Sequence, residues 1–197
     1  MWIEAAEKQE LSAALLLDLS AAFDVVSHQI FSEKLKIYNF SEKSIAWFKA
    51  YLLKRKQYVQ VESKRSNPII LEDIGVPQGS ILGPLIFLIF NNDYPASSVE
   101  GTSVLFADDD TDNVSDKNPM ELKRKIQNEA NRSTSWVKDN KMVCSGDKTK
   151  LLVIGTAEMR KKLLKDEVFK IDVCGKPITQ SKSEKLLGLI VNNELSW

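Results

Sequence analysis

Apolar residues recur along the chain in patterns that predict a mixture of strands and helices. Residues 13–19, Ala-Ala-Leu-Leu-Leu-Asp-Leu, are almost entirely apolar and carry one carboxylate near the end, which is typical of a buried strand. Residues 21–24 then predict a turn. A helix is predicted from His28 to Tyr38, and Ser41 is expected to cap a second helix running to about Arg55.

The middle of the chain predicts a hairpin followed by a buried helix. Tyr58 to Glu62 and Ile69 to Ile74 are two short strand candidates joined by a polar, proline-containing stretch. Residues 75–80, Gly-Val-Pro-Gln-Gly-Ser, are predicted to form a rigid loop. Ile81 to Phe90 is apolar on every side, which predicts a helix buried throughout.

A strand that ends in carboxylates is the most unusual pattern in the chain. The apolar run Val104 to Ala107 leads into Asp108, Asp109 and Asp110, and the turn formers Thr111, Asp112 and Asn113 follow, so a turn is predicted at residues 111–113. Carboxylates crowded at the end of a buried strand repel one another and are costly to desolvate. A bound divalent cation would compensate them.

The acidic run also suggests two other interpretations. An acidic hairpin turn in solvent is equally compatible with these residues, because Asp and Asn are common turn formers. A calcium loop is suggested by Asp108, Asp110 and Asp112 at alternate positions, but Asn113 replaces the required glycine and Pro119 the required glutamate.

The last third of the chain predicts one long helix followed by strands. Asn118 as N-cap, Pro119 at the first helical position and Glu121 three residues after the cap indicate a helix that continues to about Val137. Strand candidates follow at residues 151–154, 168–173 and 186–191. The order of elements predicts an α+β fold with helices packed on one face of a mostly antiparallel sheet.

Composition and charge limit the partners. At 197 residues and 43% hydrophobic, the chain can bury one core, or a large domain with a small appendage. The formal net charge is zero, so any polyanion must contact local basic runs. These runs are Lys54-Arg55-Lys56, Lys64-Arg65, Lys123-Arg124-Lys125 and Arg160-Lys161-Lys162.

Cysteine and histidine content argues against several kinds of site. Cys144 and Cys174 lack the spacing of a zinc site and do not form a disulfide framework, and His28 is the only histidine. No apolar run is long enough to span a bilayer, and Met1 is not followed by a leader pattern. We expect an intracellular protein without a membrane partner. Nucleus and cytoplasm are not distinguishable from the sequence, nor is the oligomeric state.

The predicted sheet would bring distant carboxylates together. Asp18 lies near the end of the first predicted strand, and adjacent strands could place it beside Asp108 and Asp109. Three carboxylates arranged in this way can hold two divalent cations, which is the arrangement used for in-line displacement at phosphorus. Mg²⁺ suits such all-oxygen ligands, and Mn²⁺ is an expected substitute.

Three motifs in order carry a family resemblance. They are Leu-Asp-Leu-Ser-Ala-Ala-Phe-Asp at residues 17–24, Gly-Val-Pro-Gln-Gly-Ser-Ile-Leu-Gly-Pro at residues 75–84, and Phe-Ala-Asp-Asp at residues 106–109. With these motifs the chain resembles the palm of reverse transcriptases from non-long-terminal-repeat retrotransposons, of the jockey and chicken-repeat type. Support comes from Trp47, Tyr51, Lys148, Leu187-Gly188 and Leu195-Ser196-Trp197. The resemblance covers nearly the whole chain.

The resemblance implies an RNA-directed DNA polymerase with a site made of named residues. Asp18, Asp108 and Asp109 would be the catalytic and metal-binding carboxylates. The partners would be an RNA template, a DNA primer and a deoxynucleoside triphosphate. Residues that resemble the family's substrate contacts are Leu19, Ser20, Ala21, Ala22, Phe23, Gln78, Gly79 and Lys148. Phe23 would be a steric gate against a ribose 2′-hydroxyl, and Lys148 would stabilise or protonate the leaving pyrophosphate.

Departures from the family pattern leave a second interpretation open. Asp110 stands where relatives usually carry Thr, which adds a negative charge beside the metals, and Cys144-Ser145 replaces the usual Leu-Asn. We expect residues 1–197 to be a partial reverse transcriptase domain, with most of the fingers and all of the thumb absent. Weak metal and nucleic-acid binding with little turnover is therefore expected. The alternative is a catalytically inactive, truncated or domesticated fragment that binds nucleic acid or acts as a scaffold.

Overall fold

The architecture is defined by a computed structural model, which describes residues 1–164 and 168–194. Helices lie at α1 (Trp2–Glu7), α2 (His28–Ile37), α3 (Glu42–Leu52), α4 (Leu82–Asn91), α5 (Pro119–Asp139) and α6 (Ala157–Leu164), with a short 3-10 helix at Pro95–Ser97. Strands lie at β1 (Leu11–Asp18), β2 (Arg55–Gln57), β3 (Gln60–Val61), β4 (Lys64–Arg65), β5 (Ile69–Leu71), β6 (Thr102–Phe106), β7 (Asp109–Asp116), β8 (Lys150–Ile154), β9 (Lys170–Val173), β10 (Lys176–Ser181), β11 (Ser183–Leu186) and β12 (Leu189–Asn192).

The chain divides into two compact units. The first contains residues 1–20, 93–139 and 143–197, and the second contains residues 21–92 and 140–142. No helix in the described ranges combines the length and the apolar character needed to cross a membrane.

A mixed sheet dominates the first unit. Its strand order is β6-β7-β1-β8-β10-β9, and only the β8–β10 pair is parallel. The predicted α+β class with a mostly antiparallel sheet is therefore confirmed. Helix α5 packs on β1, β7 and β9, and its buried Leu122, Ile126 and Ala130 supply the apolar stripe. As predicted, Asn118 caps this helix, because its Oδ1 accepts a hydrogen bond from the Met120 amide at 2.9 Å.

Side chains of β1 and β7 alternate between two faces of this sheet. Asp112 on β7 bonds to residues of α5, whereas the neighbouring Asn113 accepts a 2.9 Å hydrogen bond from the Trp2 indole of α1. Trp2 also packs against a buried cluster that contains Ala14. Because successive strand residues point to opposite faces, α1 covers the face opposite to α5. The apolar pattern did not predict α1.

Helices α2, α3 and α4 form the core of the second unit. Phe31 of α2 meets Phe48 of α3 edge to face, with ring centroids 5.4 Å apart. Ser41 caps α3 as predicted, accepting a hydrogen bond from the Ser44 amide at 3.2 Å. The buried Lys34 ammonium donates to the Phe90 carbonyl at 2.7 Å, which links α2 to the end of α4.

The structure corrects the prediction that α4 is buried throughout. Ile86, Phe87 and Phe90 are buried, but Leu85 and Leu88 are 45% and 57% exposed, and Ile81 just before the helix is almost fully exposed. A helix of about 3.6 residues per turn packs only part of its circumference on a small unit, so apolar composition all round does not guarantee burial.

The predicted hairpin between Tyr58–Glu62 and Ile69–Ile74 is also wrong in its pairing. Ile69–Leu71 pairs with Arg55–Gln57, and the inner strand Gln60–Val61 pairs with Lys64–Arg65. The inner turn at Glu62, which has a φ of 54°, closes the chain earlier than the proline-containing stretch suggested.

Near the C-terminal end, the predicted strand over residues 186–191 is instead a hairpin. Strands β11 and β12 pair across Leu187-Gly188, where φ is 48° and 87°. The positive φ of both residues matches the tight turns that connect antiparallel strands. The family motif residues 195–197 lie outside the described residues.

Candidate active site

Two of the predicted catalytic carboxylates face each other across the β1–β7 ladder. Asp18 is the last residue of β1 and Asp109 the first residue of β7, and they form a directly opposed pair in the antiparallel register. Side chains of opposed residues lie on the same face of a sheet. The fold therefore brings together two carboxylates that are far apart in sequence.

Asp108 occupies the tight turn that joins β6 to β7. The preceding Ala107 has a φ of 57°, and the turn lies immediately before Asp109. The structure thus corrects the prediction of a turn at residues 111–113, because Thr111, Asp112 and Asn113 lie inside β7 and are buried. The side chains of Asp112 and Asn113 have hydrogen-bond partners in the fold, which outweighs the local turn preference of Asp and Asn.

Electrostatic repulsion is concentrated at this end of the ladder. Partial loss of water raises the pKa of the Asp109 carboxyl above its ordinary value, and the charges of Asp108 and Asp18 raise it further. Oδ1 of Asp18 is shielded from solvent and accepts no hydrogen bond in the described structure. Its nearest cation is Lys148, whose Nζ lies 3.8 Å away on a largely exposed side chain.

These donors fit a hard divalent cation in their chemistry. The ligand atoms would all be carboxylate oxygens, and the Asp18 oxygen without a hydrogen bond has unused acceptor capacity. Across residues 1–164 and 168–194, however, no three His, Cys, Asp or Glu side chains are grouped closely enough to hold a metal together. The arrangement is an opposed pair of carboxylates, Asp18 and Asp109, and Asp108 directly precedes Asp109 in sequence.

A loop after α5 holds the backbone of Asp18 in place. The Ser145 amide donates to the Asp18 carbonyl at 2.9 Å, and the Ser20 amide donates to the Val143 carbonyl at 2.8 Å. Between them, Leu19 forms an isolated antiparallel bridge with Cys144. The two residues that depart from the family pattern, Cys144 and Ser145, therefore lie directly against the backbone beside the first carboxylate.

A cleft of about 340 Å³ opens beside the opposed pair. Besides Asp18, Asp109 and Lys148, its lining includes Asp147 and Glu184, which sequence reasoning did not identify. Asp147 is held by Lys176, whose Nζ lies 2.9 Å from its Oδ1. A single acidic residue in a polar loop gives no periodic or motif signal, so Asp147 could be recognised only once the fold placed it in the cleft.

Asp110 lies on the other face of β7, as expected for a residue that does not join the carboxylate pair. Only 1% of it is exposed, and neither carboxylate oxygen has a hydrogen-bond partner in the described structure. Burial raises the pKa of Asp110 to about 8, and the neighbouring charge of Asp112 contributes to the rise.

Asp112, by contrast, is fully satisfied by a buried polar network. Arg132 Nη2 lies 2.7 Å from its Oδ1, and both Ser133 Oγ and Tyr94 Oη donate to its Oδ2, at 2.6 Å and 2.8 Å. Ser103 on β6 also donates to Oδ1. This network joins β6 and β7 to α5 on the side opposite to the carboxylate pair.

The remaining predicted substrate contacts belong to the second unit, apart from Leu19 and Ser20. Phe23 follows the turn residues Ala21 and Ala22 and stacks on Phe87, with ring centroids 4.6 Å apart. Gln78 Nε2 donates to Asp24 Oδ1 at 3.0 Å. The two motifs that contain Phe23 and Gln78 are thus brought together within this unit.

Gly79 adopts a backbone conformation that favours glycine. Its φ is +77°, and no atom lies within 4 Å of the position that a Cβ would occupy. The glycine is therefore required by its left-handed backbone and not by crowding from the protein itself.

Comparison with known proteins agrees with the motifs. The chain matches the family described as "Reverse transcriptase (RNA-dependent DNA polymerase)" over residues 3–191. It is 27% identical over 199 residues to a probable RNA-directed DNA polymerase from transposon X-element of Drosophila melanogaster, covering 99% of this chain and 21% of that protein. It is 38% identical over 93 residues to the RNA-directed DNA polymerase from mobile element jockey of Drosophila funebris, covering 47% of this chain and 10% of that protein.

A solved structure supports the fold. The structure of apo telomerase from Candida tropicalis, truncated from its C-terminal domain, superposes with a TM-score of 0.65 at 13% identity, covering 99% of this chain and 37% of that one. The chain spans only about a tenth to a fifth of the length of the curated relatives named above. Because the family model matches nearly all of it, the chain belongs to the reverse transcriptase family.

Proposed function

We propose that this chain carries the nucleotidyl-transfer site of an RNA-directed DNA polymerase from a retrotransposon. The observation that carries the proposal is the opposed pair Asp18 and Asp109 at the ends of β1 and β7, with Asp108 one residue before Asp109. Repulsion among the three carboxylates favours a bound cation, and family membership supplies the reaction class.

In the proposed reaction, the 3′-hydroxyl of a DNA primer forms a bond to the α-phosphorus of a deoxynucleoside triphosphate, and pyrophosphate leaves. Asp18, Asp108 and Asp109 would hold two Mg²⁺ ions, with Mn²⁺ as a substitute, and the metals would neutralise charge on the reacting phosphate. Lys148 would donate a proton or a hydrogen bond to the departing pyrophosphate. Its largely exposed ammonium beside Asp18 supports this role.

Base and sugar selection would depend on the second unit and on the residues leading into it. Leu19, Ser20, Ala21 and Ala22 would lie along the incoming triphosphate, and Gln78 and Gly79 would support the nucleotide and the RNA template. The ring of Phe23 would exclude a ribose 2′-hydroxyl. Its stacking on Phe87 supports this role, because a gate must be held rigidly to discriminate one oxygen atom.

The test is primer extension on an RNA template with Mg²⁺ or Mn²⁺, together with Mn²⁺ binding followed by electron paramagnetic resonance. Asp108→Asn and Asp109→Asn should abolish extension and weaken Mn²⁺ binding. Asp172→Asn is the matched control, since Asp172 is an exposed carboxylate on β9 and its loss should change neither measurement.

The two readouts separate the proposed enzyme from the alternative of an inactive fragment. Extension that depends on Asp108 and Asp109 supports the polymerase. Mn²⁺ binding that depends on the same residues without extension supports the site but assigns this chain to the inactive alternative. If the unsubstituted chain shows neither, the proposal is refuted and a nucleic-acid-binding or scaffold role becomes the better account.

A further inference from the structure

The second unit carries an excess of positive charge although the whole chain is neutral. Residues 21–92 and 140–142 contain ten Lys and Arg residues against six Asp and Glu residues. Within residues 54–65, which we name the basic hairpin, five of these cations accompany a single carboxylate, Glu62. The hairpin therefore accounts for the whole excess of the unit.

The basic hairpin differs from the other basic runs because none of its cations has a carboxylate partner among the described residues, whereas each other run contains at least one paired cation. In the described part of the chain, Lys54, Arg55, Lys56, Lys64 and Arg65 form no ion pair. Elsewhere Arg124 pairs with Glu100 and Glu121, and Lys125 pairs with Asp116. Unpaired like charges held on one short hairpin repel one another, and that repulsion is relieved when a polyanion binds.

An aromatic ring lies among these charges. The Arg65 guanidinium lies over the Tyr58 ring, with Cζ 4.8 Å from the ring centroid, and Tyr58 is still 47% exposed. Arg65 Nε donates to Gln60 Oε1 at 2.9 Å, which fixes the guanidinium in place. A ring supported on one side and open on the other is a suitable platform for stacking an unpaired base.

The local backbone holds this platform in a fixed geometry. The Val59 amide donates to Ser66 Oγ at 3.0 Å, and the Ser66 amide donates to the Val59 carbonyl at 2.9 Å. These bonds join the two arms of the hairpin beside Tyr58 and Arg65. Lys54 and Lys56, on the β2 side of the hairpin, are exposed.

We propose that the basic hairpin is a binding surface for single-stranded nucleic acid, in which Tyr58 stacks on a base while Lys54, Lys56 and Lys64 contact backbone phosphates. The choice of nucleic acid among polyanions rests on the proposed polymerase function. The surface itself uses none of the carboxylates, and its binding requires neither metal nor nucleotide.

The experiment measures binding of a fluorescent single-stranded RNA by anisotropy, with chelator present and without nucleotide, at several salt concentrations. The three phosphate contacts from Lys54, Lys56 and Lys64 predict a slope of log affinity against log salt of about −2.1. The double variant Lys54→Ala/Lys56→Ala should weaken binding about 10- to 30-fold at 0.1 M salt and reduce the slope by about 1.4.

Aromatic stacking is tested separately. Tyr58→Ala should weaken binding about 5- to 150-fold with little change in the salt slope, whereas Tyr58→Phe should bind like the unsubstituted chain. The matched control is Lys161→Ala/Lys162→Ala on α6, which removes the same charge from exposed positions in the first unit. Far-ultraviolet circular dichroism and the melting temperature verify that each variant is folded.

Several outcomes would overturn the inference. If the α6 control and the Lys54/Lys56 variant lose the same amount of RNA affinity, the binding is an unspecific attraction by net charge. Competition by inorganic polyphosphate as effective as that by the oligonucleotide, with no loss in Tyr58→Ala, would indicate a general polyanion site. Because chelator is present throughout, the RNA-binding assay does not depend on the metal site. A negative result in this assay therefore does not refute the polymerase proposal, and a negative result in primer extension does not refute RNA binding by the basic hairpin.

Discussion

Leu17 and Asp110 are directly opposed across the β1–β7 ladder, and both are almost completely buried. A carboxylate therefore lies where the neighbouring strand presents an aliphatic side chain. Its oxygens have no hydrogen-bond partner in the described structure, and burial raises its pKa to about 8. Keeping this group charged costs free energy, whereas its protonated form is tolerated.

The first prediction concerns the pH dependence of stability. The folded-state pKa of Asp110 lies above its unfolded value of 3.8, so the folded chain binds the proton more tightly. The contribution of Asp110 to the free energy of unfolding is fully present below about pH 4 and is lost as the pH rises towards 8. A shift of this size corresponds to about 6 kcal/mol at most. Asp110→Thr should remove that loss, as measured by urea unfolding between pH 4 and pH 8.

Asp116→Asn provides a control of opposite sign on the same strand. The hydrogen bond from Lys125 lowers the pKa of Asp116, so its stabilisation is present above its unfolded pKa and is lost as the pH falls through the lower folded value. A variant Asp110→Thr that retains the full decline in stability between pH 4 and pH 8 would show that another group causes it.

A second prediction concerns the buried network around Asp112. Arg132→Ala removes the guanidinium that lies 2.7 Å from Asp112 Oδ1 and leaves a buried carboxylate without its cation. We expect the free energy of unfolding to fall by about 3–5 kcal/mol. Arg124→Ala removes two ion pairs at the surface, with Glu100 and Glu121, and should lower the free energy of unfolding much less. Denaturant titration of both variants measures the difference, and equal losses would contradict the proposed importance of burial.

A third prediction addresses sugar selection. If the Phe23 ring excludes a 2′-hydroxyl, Phe23→Ala should increase incorporation of ribonucleotides relative to deoxynucleotides in primer extension. Phe87→Leu removes the stacking partner of Phe23 but leaves the ring itself, so it should loosen selectivity less than Phe23→Ala does. If a folded and active Phe23→Ala variant keeps the same selectivity for deoxynucleotides, Phe23 is an ordinary packed aromatic residue and not a steric gate.

A fourth prediction distinguishes a chemical role of Lys148 from a simple ion pair with Asp18. Lys148→Ala should lower kcat about 10²- to 10⁴-fold if the ammonium protonates the leaving pyrophosphate, with a smaller change in KM. Lys150→Ala removes a neighbouring cation whose Nζ donates to the Asp147 carbonyl, and it should leave kcat nearly unchanged. A Lys148→Ala variant whose effect is confined to KM would indicate that Lys148 only binds the triphosphate.

Sequence patterns predicted elements whose signals are local. Ser41 and Asn118 mark the beginnings of α3 and α5 because a cap satisfies nearby backbone amides, and both caps are present in the structure. The apolar run before Asp18 likewise predicted the central strand. The motifs identified the reverse transcriptase family, since its residues keep their order and spacing.

Other features depend on distant residues and could not be predicted in this way. Asp112 and Asn113 have the local preferences of a turn, but Arg132 on α5 and Trp2 on α1 supply their partners from 20 and 111 positions away. Burial of one side of α4 and exposure of Leu88 likewise depend on what packs against the helix. For the same reason Asp147 could not be assigned to the cleft.

The buried polar side chains of β7 also fix the register of β7 against β1. Shifting β7 by one residue would turn Asp112 away from Arg132 and direct Asn113 away from the Trp2 indole, so both partnerships would be lost together. An apolar strand could tolerate such slippage more easily, because one aliphatic side chain substitutes for another. The pairing of Asp18 with Asp109 is thus enforced from about 10 Å further along the strand, by hydrogen bonds that accept only one register.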